Sequence, residues 1–286
     1  MRFLRRLFRK SGPLVPVLRF GGAIGMATPL RPGLSLATSA DAIERAFSMK
    51  GAQAVAVQIN SPGGSPVQSM LIYNRLRALA EEKGLPVYVF AEDVAASGGY
   101  LVALAGDEIY ADASSILGSI GVISSGFGFD KMIEKIGVER RVYTAGKSKM
   151  SLDPFAPEKD DDIKRLKALQ ADVHENFADL VRERRGRRIE KAGDSLFTGE
   201  YWSGKKALEL GLIDGLADLR TKMREMLGKD VRFKLVTPKR KLFGRARGVF
   251  ARTPRVPEET GFMSPGFADE LVSAVEARAL WSRYGL

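Results

Sequence analysis

A chain of 286 residues without cysteine and with a single histidine excludes several kinds of chemistry before any motif is considered. Disulfides, thiolate nucleophiles and cysteine-ligated metals are ruled out, and a metal site built from several histidines is impossible. Hydrophobic residues make up 45% and charged residues 28%, which is ordinary for a globular protein with one sizeable domain. We therefore predict neither a cofactor nor a metal ion.

The formal net charge of +11 is concentrated in two segments. Residues 1–10 and 238–255 together contain 12 lysine and arginine residues and no acid, so the rest of the chain is close to neutral. Such segments suit either an anionic membrane surface or nucleic acid, and a simply solvated terminus is the third alternative.

The N-terminal segment favours the membrane over nucleic acid. Its apolar residues fall on one helical face, with arginines around them: Phe3, Leu4, Leu7 and Phe8. No apolar stretch is long enough for a transmembrane helix or a signal peptide. We expect a cytoplasmic protein, with peripheral binding to the inner membrane as an option and no nucleic-acid partner.

Strands and helices are predicted to alternate along the chain. In order, they are a strand at 15–20, a helix at 40–49 capped by Ser39 or Asp41, a strand at 52–59, a helix at 66–83, a strand at 87–90, a loop at 92–96, a helix at 97–105, a strand at 107–111, a helix at 129–136, a strand at 139–143, and helices at 157–185, 202–210 and 216–227 before a strand at 231–236. This alternation is typical of an α/β fold with parallel strands.

Changes in composition divide the chain into four parts. They are a basic amphipathic segment at 1–12, the α/β domain at 13–237, a basic Pro/Gly-rich linker at 238–265 and a C-terminal helix at 266–286.

Three loops contain the residues that could take part in catalysis. They are NSPGGSP at 60–66, VAASGGYLVA at 94–103 and TAGKSKMS at 144–151. Each follows a predicted strand. Loops after the carboxyl ends of parallel strands lie on one side of the sheet, so we expect the three loops to converge.

Ser97 lies between two alanines and two glycines, at the start of a predicted buried helix. The free N–H groups of a first helical turn can stabilise an oxyanion, and Gly63-Gly64 could supply a second donor. Taken alone, each motif also fits a small-residue packing site or a simple turn.

A serine needs a base to become a nucleophile at neutral pH. His174, the single histidine, falls in the long charged helix and is interpreted as a partly exposed helical residue. A lysine can act as base if burial lowers its pKa, and both Lys147 and Lys149 follow the turn at Gly146. Either lysine could also simply be solvated.

Five segments in order resemble the signal peptide peptidase A (protease IV type) family of Ser/Lys peptidases from bacteria and archaea. They are NSPGGS, AASGGYLVAL, ADASSILGSIGVI, YTAGKSK and FTGEYWSGKKALELGLIDGL, and the likeness covers most of residues 15–220. The family's fold resembles the crotonase/Clp-protease α/β superfold, so we expect parallel strands with flanking helices.

The resemblance implies a role for each matched residue. Ser97 would be the nucleophile, and Lys149, at the last position of T-A-G-x-x-K, would be the general base, with Lys147 as its rival. Ser119 would hold the lysine, and Gly64 and Gly98 would donate their N–H groups to the oxyanion. Asn60 would shape the first loop.

The resemblance also implies assembly and substrate. Family members form ring-shaped oligomers and cleave apolar or unfolded peptides, including released signal peptides. This sequence shows no membrane anchor and no duplicated domain, so its dyad would form within one chain or by self-association. The alternative functions are a crotonase-like acyl-CoA enzyme and a non-catalytic, membrane-associated scaffold.

Overall fold

A computed structural model of the protein describes residues 12–26, 33–146, 148–238, 275 and 278–286. The basic segment predicted at 1–12, apart from its last residue, lies outside these ranges. So do the linker at 238–265, apart from its first residue, and most of the helix predicted at 266–286, of which residues 278–282 are described as helical.

Eight strands form one sheet. They are β1 (Leu14–Gly21), β2 (Val55–Ser61), β3 (Val87–Ala96), β4 (Glu108–Ala111), β5 (Ile116–Gly118), β6 (Tyr201–Ser203), β7 (Gly215–Leu216) and β8 (Arg232–Val236). The order is β6-β5-β3-β2-β1-β8, with β4 beside β3 and β7 beside β4. Only β5 and β6 pair antiparallel among the described strands.

Besides the helical residues at 278–282, the described part of the chain contains seven α-helices. They are α1 (Leu36–Phe47), α2 (Pro66–Lys83), α3 (Gly98–Ala103), α4 (Asp130–Lys135), α5 (Asp160–Arg185), α6 (Gly204–Glu209) and α7 (Leu219–Leu227). The predicted α/β architecture, with mostly parallel strands and flanking helices, is confirmed.

Alternating strand residues explain why helices cover both faces of the sheet. In β1, Leu18 and Phe20 join the large core that α1, α2 and α3 complete, whereas Val15 and Val17 join a second core with Leu219 of α7. Successive strand side chains point to opposite faces, so a strand that is apolar at every position is buried on both.

The predicted loop at 92–96 is wrong, because β3 continues to Ala96. Its first half pairs with β4, and its second half pairs with β5, from Val94 opposite Ile116 to Ala96 opposite Gly118. The extension depends on β5, which lies about 20 residues further along the chain, so local sequence cannot indicate it.

Two further predictions are corrected. Helix α1 begins at Leu36 and is capped by Ser35, which shares a capping box with Thr38, so neither Ser39 nor Asp41 is the cap. Residues 139–143 form no strand: they are exposed and pair with no described strand, and three of the five residues are charged.

Residues 121–161 form an exposed segment in which no described residue is buried. Within the segment, the side chains pack around one ring. The ring centroids of Phe129 and Phe155 lie 5.6 Å apart, and the guanidinium carbon of Arg140 lies 5.1 Å from the centroid of Phe155. Apolar side chains nevertheless stay in solvent, with Phe127 81% and Tyr143 91% exposed. Such an apolar surface is typical of a contact region.

Candidate active site

Ser97 occupies the junction between β3 and α3 in a conformation that few residues adopt. Its φ of 53° and ψ of −124° are unusual for any residue with a side chain, and such backbone strain concentrates at functional sites. The N–H of Ser97 donates to the carbonyl of Gly118 at 2.8 Å, which ties the residue to β5. Its side chain makes no helix-capping hydrogen bond.

The loop after β2 packs directly against this serine. A Cβ on Gly63 would lie 2.8 Å from the Cβ of Ser97, so only glycine allows this approach. Gly64 has a φ of 139°, and a Cβ on Gly98 would lie 3.4 Å from the N of Gly64. The two glycine amides predicted as oxyanion donors are therefore neighbours beside Ser97.

Two polar residues hold that loop. Asn60 donates from Nδ2 to Asp93 at 2.6 Å and accepts at Oδ1 from the N–H of Val94 at 3.2 Å, so it ties the end of β2 to β3. Ser61 is fully buried and donates from Oγ to the carbonyl of Gly22 at 2.7 Å. The same Oγ accepts from the N–H of Gly63 at 3.2 Å. Sequence reasoning missed Ser61.

Ser119 lies close to Ser97 in space. It is 4% exposed, has a φ of 52°, and borders the same cavity as Ser97. Its N–H donates to the carbonyl of Glu200 at 2.6 Å, so β5 and the turn before β6 fix its backbone. The structure therefore brings Gly64, Gly98 and Ser119 together around Ser97, whereas Asn60 contacts Asp93 and Val94 and borders neither cavity at Ser97.

Lys149 is placed elsewhere. It lies in the exposed segment, where its backbone N–H donates to the carbonyl of Gly146 at 3.2 Å, and it borders neither of the two cavities that Ser97 borders. Its rival Lys147 lies outside the described residues. The strand predicted before this loop does not form, so the expected convergence of strand ends does not apply to it.

Two cavities meet at Ser97, and both also include Gly121 and Val122. The apolar cavity, of about 650 Å³, also contains Gly64 and Gly98. Its apolar lining includes Val67, Met70, Leu101, Phe177 and Leu180. The polar cavity, of about 530 Å³, is lined by Ser119, Lys167, Gln170, His174, Thr198 and Arg283, among others.

Helix α5 supplies a different stripe of side chains to each cavity. Residues 167, 170, 171 and 174 border the polar cavity, and residues 173, 176, 177, 179, 180 and 183 border the apolar one, so two carboxylates lie on the apolar side. The first set follows the i, i+3, i+4, i+7 spacing of one helical face, and the second set follows it except at Asp179. This spacing is visible in the sequence, but only the packing of α5 shows which face meets Ser97.

Buried polar groups anchor the carboxyl end of α5. Arg185 is 2% exposed, donates to the carbonyl of Gly211 at 2.8 Å and forms a two-pronged ion pair with Asp214 at 2.8 and 3.1 Å. Tyr100 donates to the carbonyl of Leu212 at 2.7 Å, and burial raises the pKa of its phenol, which therefore stays protonated. The GLID motif at 211–214 thus has a structural role.

The comparisons with known proteins agree with this geometry. The profile of Peptidase family S49 matches residues 79–231, which is more than half of the chain. A serine at a strained strand–helix junction, with glycine amides and an apolar cavity beside it, is compatible with nucleophilic catalysis once a base is supplied. The chain belongs to Peptidase family S49, the family of signal peptide peptidase A and protease 4.

Curated relatives include proteins much longer than this chain. "Serine protease SPPA, chloroplastic" from Arabidopsis thaliana is 31% identical over 210 residues, which is 72% of this chain and 31% of that protein. A Brucella abortus protein named "Na(+)/H(+) antiporter NhaA" is 52% identical over 291 residues, which is 100% of this chain and 39% of that protein. The antiporter name belongs to the longer protein. No helix within the described residues is long and apolar enough to cross a membrane.

Among solved structures, a membrane-bound stomatin-specific protease in complex with a substrate peptide aligns with a TM-score of 0.49 and 15% identity. The alignment covers 93% of this chain and 98% of that one.

Proposed function

We propose that this chain is an endopeptidase in which Ser97 is the nucleophile and Lys149 the general base. The observation that supports it best is the strained position of Ser97 where two cavities meet. In this mechanism, Ser97 Oγ attacks the peptide carbonyl and its proton passes to the lysine amine. The lysine then protonates the leaving amine, and water hydrolyses the acyl-enzyme.

The amides of Gly64 and Gly98 would stabilise the tetrahedral intermediate. Neither N–H donates a hydrogen bond to another described residue, so both are free for a ligand. Donors that face a developing oxyanion in a partly closed cavity are worth far more than the same donors in water.

Replacing Gly64 by alanine tests this role. The new Cβ would lie 2.2 Å from the carbonyl oxygen of Ile24, and the φ of 139° is closed to alanine, so the loop has to move and carry the amide away. We expect kcat for peptide hydrolysis to fall roughly a hundredfold. Gly51→Ala is the matched control, because Gly51 also has a positive φ but open space around it. Equal kcat in the two variants would contradict the oxyanion role.

The lysine has to reach Ser97, and in the described chain Lys149 borders neither cavity. We propose that self-association into a ring brings Lys149 of one copy to Ser97 of the next. The exposed segment that contains Lys149 supports this proposal through its apolar side chains, which include Ile123, Phe127, Ile136, Val138 and Tyr143. Contact with a second copy would remove them from water.

Mixing two inactive variants tests both the dyad and its location. Ser97→Ala and Lys149→Ala should each lose activity on an unfolded protein and on apolar fluorogenic peptides. An equimolar mixture reassembled together should recover about a quarter of wild-type activity, because random neighbours place an intact lysine beside an intact serine at one site in four.

The controls for that experiment are two other lysines. Lys147→Ala addresses the rival, and Lys131→Ala changes an exposed lysine of the same segment. Inactive single variants without recovery on mixing would indicate a dyad within one chain. Full activity in Lys149→Ala, with loss in Lys147→Ala, would transfer the role of base to Lys147.

The apolar cavity supports apolar or unfolded peptides as substrates, such as released signal peptides. The chain spans 39% of the Brucella relative and 31% of the Arabidopsis relative, so the activity of the whole protein is part of this proposal.

Peripheral binding to the inner membrane from the cytoplasm also remains a proposal, based on the charge of segments outside the described residues. Binding to anionic vesicles with and without residues 1–10 is its measurement.

An acyl-CoA enzyme and a non-catalytic scaffold are the alternative functions. Neither needs a nucleophilic serine, so covalent labelling of Ser97 by a serine-reactive phosphonate would exclude both. Membership of a peptidase family favours the first proposal over these two.

A further inference from the structure

The two cavities at Ser97 differ in charge as well as in polarity. We propose that the polar cavity is a subsite for a carboxylate of the bound peptide, either an acidic side chain or the free carboxyl terminus. Lys167 and Arg283 would attract the carboxylate. This inference rests on the proposed peptide hydrolysis at Ser97.

The charge of the cavity points to an anion. Lys167 and Arg283 are the charged residues of its lining, which contains no aspartate or glutamate among the described residues. Both are exposed, so their side chains stand at its mouth. Cations with no acid beside them in a concave site attract a negatively charged group.

Other basic residues of α5 have acidic partners. Lys164 lies 3.9 Å from Asp161, Arg165 pairs with Asp162, and Arg182 lies 2.8 Å from Asp179. Lys167 follows Lys164 by less than one turn and forms no ion pair with a described acid, and the same holds for Arg283. The two cations at the cavity are therefore available to a ligand.

His174 borders the same cavity, but its Nε2 is buried from water and therefore does not face a ligand there. The two cations alone carry the proposed subsite.

The backbone of Arg283 is held in place by its neighbour. Tyr284 is 8% exposed and belongs to a small core with Val94 and Ala96, immediately before Ser97. Its ring stacks edge-on against Tyr201 at 5.1 Å, and Tyr201 donates to the carbonyl of Arg283 at 3.3 Å. Arg283 follows Ser97 by about 186 residues in the sequence, and these contacts hold its backbone at the rim of the cavity.

The location of the cavity identifies the part of the substrate that would enter it. Because the polar and apolar cavities share Ser97, a peptide that reacts there can place an apolar residue in one and a carboxylate in the other. The carboxylate therefore belongs to a residue within a few positions of the cleaved bond. The volume of about 530 Å³ has room for such a residue.

The experiment uses peptides that differ only in glutamate or glutamine at each position within three residues of the cleaved bond. A second pair carries a carboxyl-terminal acid or amide, which separates the two sources of the carboxylate. For wild type we expect kcat/KM to be about tenfold higher for the acid at one position, since two exposed cations contribute modestly each. High salt should reduce this preference.

The Lys167→Gln/Arg283→Gln double variant should bring the acid-to-amide ratio close to one. Lys164→Gln and Arg278→Gln are the matched controls, on the same helix and the same terminal segment, and should keep the wild-type ratio. A double variant with an unchanged ratio, or a wild type without preference at any position, would overturn the subsite.

Cleavage of the all-neutral peptide, and its loss in Ser97→Ala, tests the proposed function separately in the same assay. Binding of the labelled peptides to Ser97→Ala supplies a second readout that requires no turnover. A charge preference in binding that Lys167→Gln/Arg283→Gln removes, with no cleavage of any peptide, would overturn the peptidase proposal and support the subsite. Equal binding of the acid and amide peptides would count against the subsite.

Discussion

Ser97→Ala should lower kcat for peptide hydrolysis by roughly a thousandfold or more, the size of effect seen when a serine peptidase loses its nucleophile. The variant removes only the hydroxyl that would form the acyl-enzyme. Alanine has the same Cβ as serine, so the φ of 53° is no more strained than before, and the side chain makes no capping bond that would be lost. The glycine amides and both cavities stay in place.

Two measurements make this result specific. Thermal unfolding of Ser97→Ala should occur within a few degrees of wild type, which separates lost chemistry from lost folding. Ser124→Ala, at an exposed serine in the segment at 121–161, should keep full activity. Wild-type turnover by Ser97→Ala would rule out Ser97 as the nucleophile, whatever the role of Lys149.

Asp214→Ala should lower the free energy of unfolding by about 3–5 kcal/mol, the usual cost of removing one partner of a buried ion pair. Arg185 would then be a buried cation at 2% exposure without its two-pronged partner. Asp214 also accepts the N–H of Ile109 at 2.8 Å, so its loss leaves a backbone donor of β4 unsatisfied. The carboxyl end of α5 would lose its anchor to the sheet.

Thermal or urea unfolding measures this effect, and a fall in Tm of roughly 10 °C corresponds to it. Asp194→Ala is the control, because Asp194 is an exposed aspartate with no ion pair to a described residue, and it should leave Tm nearly unchanged. A second control, Arg185→Met/Asp214→Leu, removes both charges and should cost less than Asp214→Ala alone. Equal stability of Asp214→Ala and wild type would show that the pair contributes nothing net.

Helix α2 shows how much local sequence can determine. The sequence predicts it at 66–83, and it is observed at Pro66–Lys83. Proline at the first helical position marks its start, and Gly84, in the left-handed conformation with a φ of 60°, marks its end. Similar local signals predict β1, β8 and the start of α3 to within one residue. The alternation of apolar strands and helices was enough for the fold class, since it reflects which faces are buried.

Pairing between distant segments decided what local patterns could not. The extension of β3 through Ala96 depends on β5, and residues 139–143, although apolar in part, find no neighbouring strand. Lys149, which follows this segment, therefore borders neither cavity at Ser97. A strand needs partners for its backbone groups, and these partners are a property of the whole fold.

The sequence by itself was enough for the family resemblance, the α/β fold class and the approach of Gly64 and Gly98 to Ser97, because five motifs in order favour one arrangement of the loops after the strands. Only the tertiary structure showed that His174 and Arg283 border the same cavity as Ser97, and that Arg185 meets Asp214. Those residues are far apart along the chain and have no shared local signal, since the packing of α5 and of the C-terminal residues against the sheet brings them together.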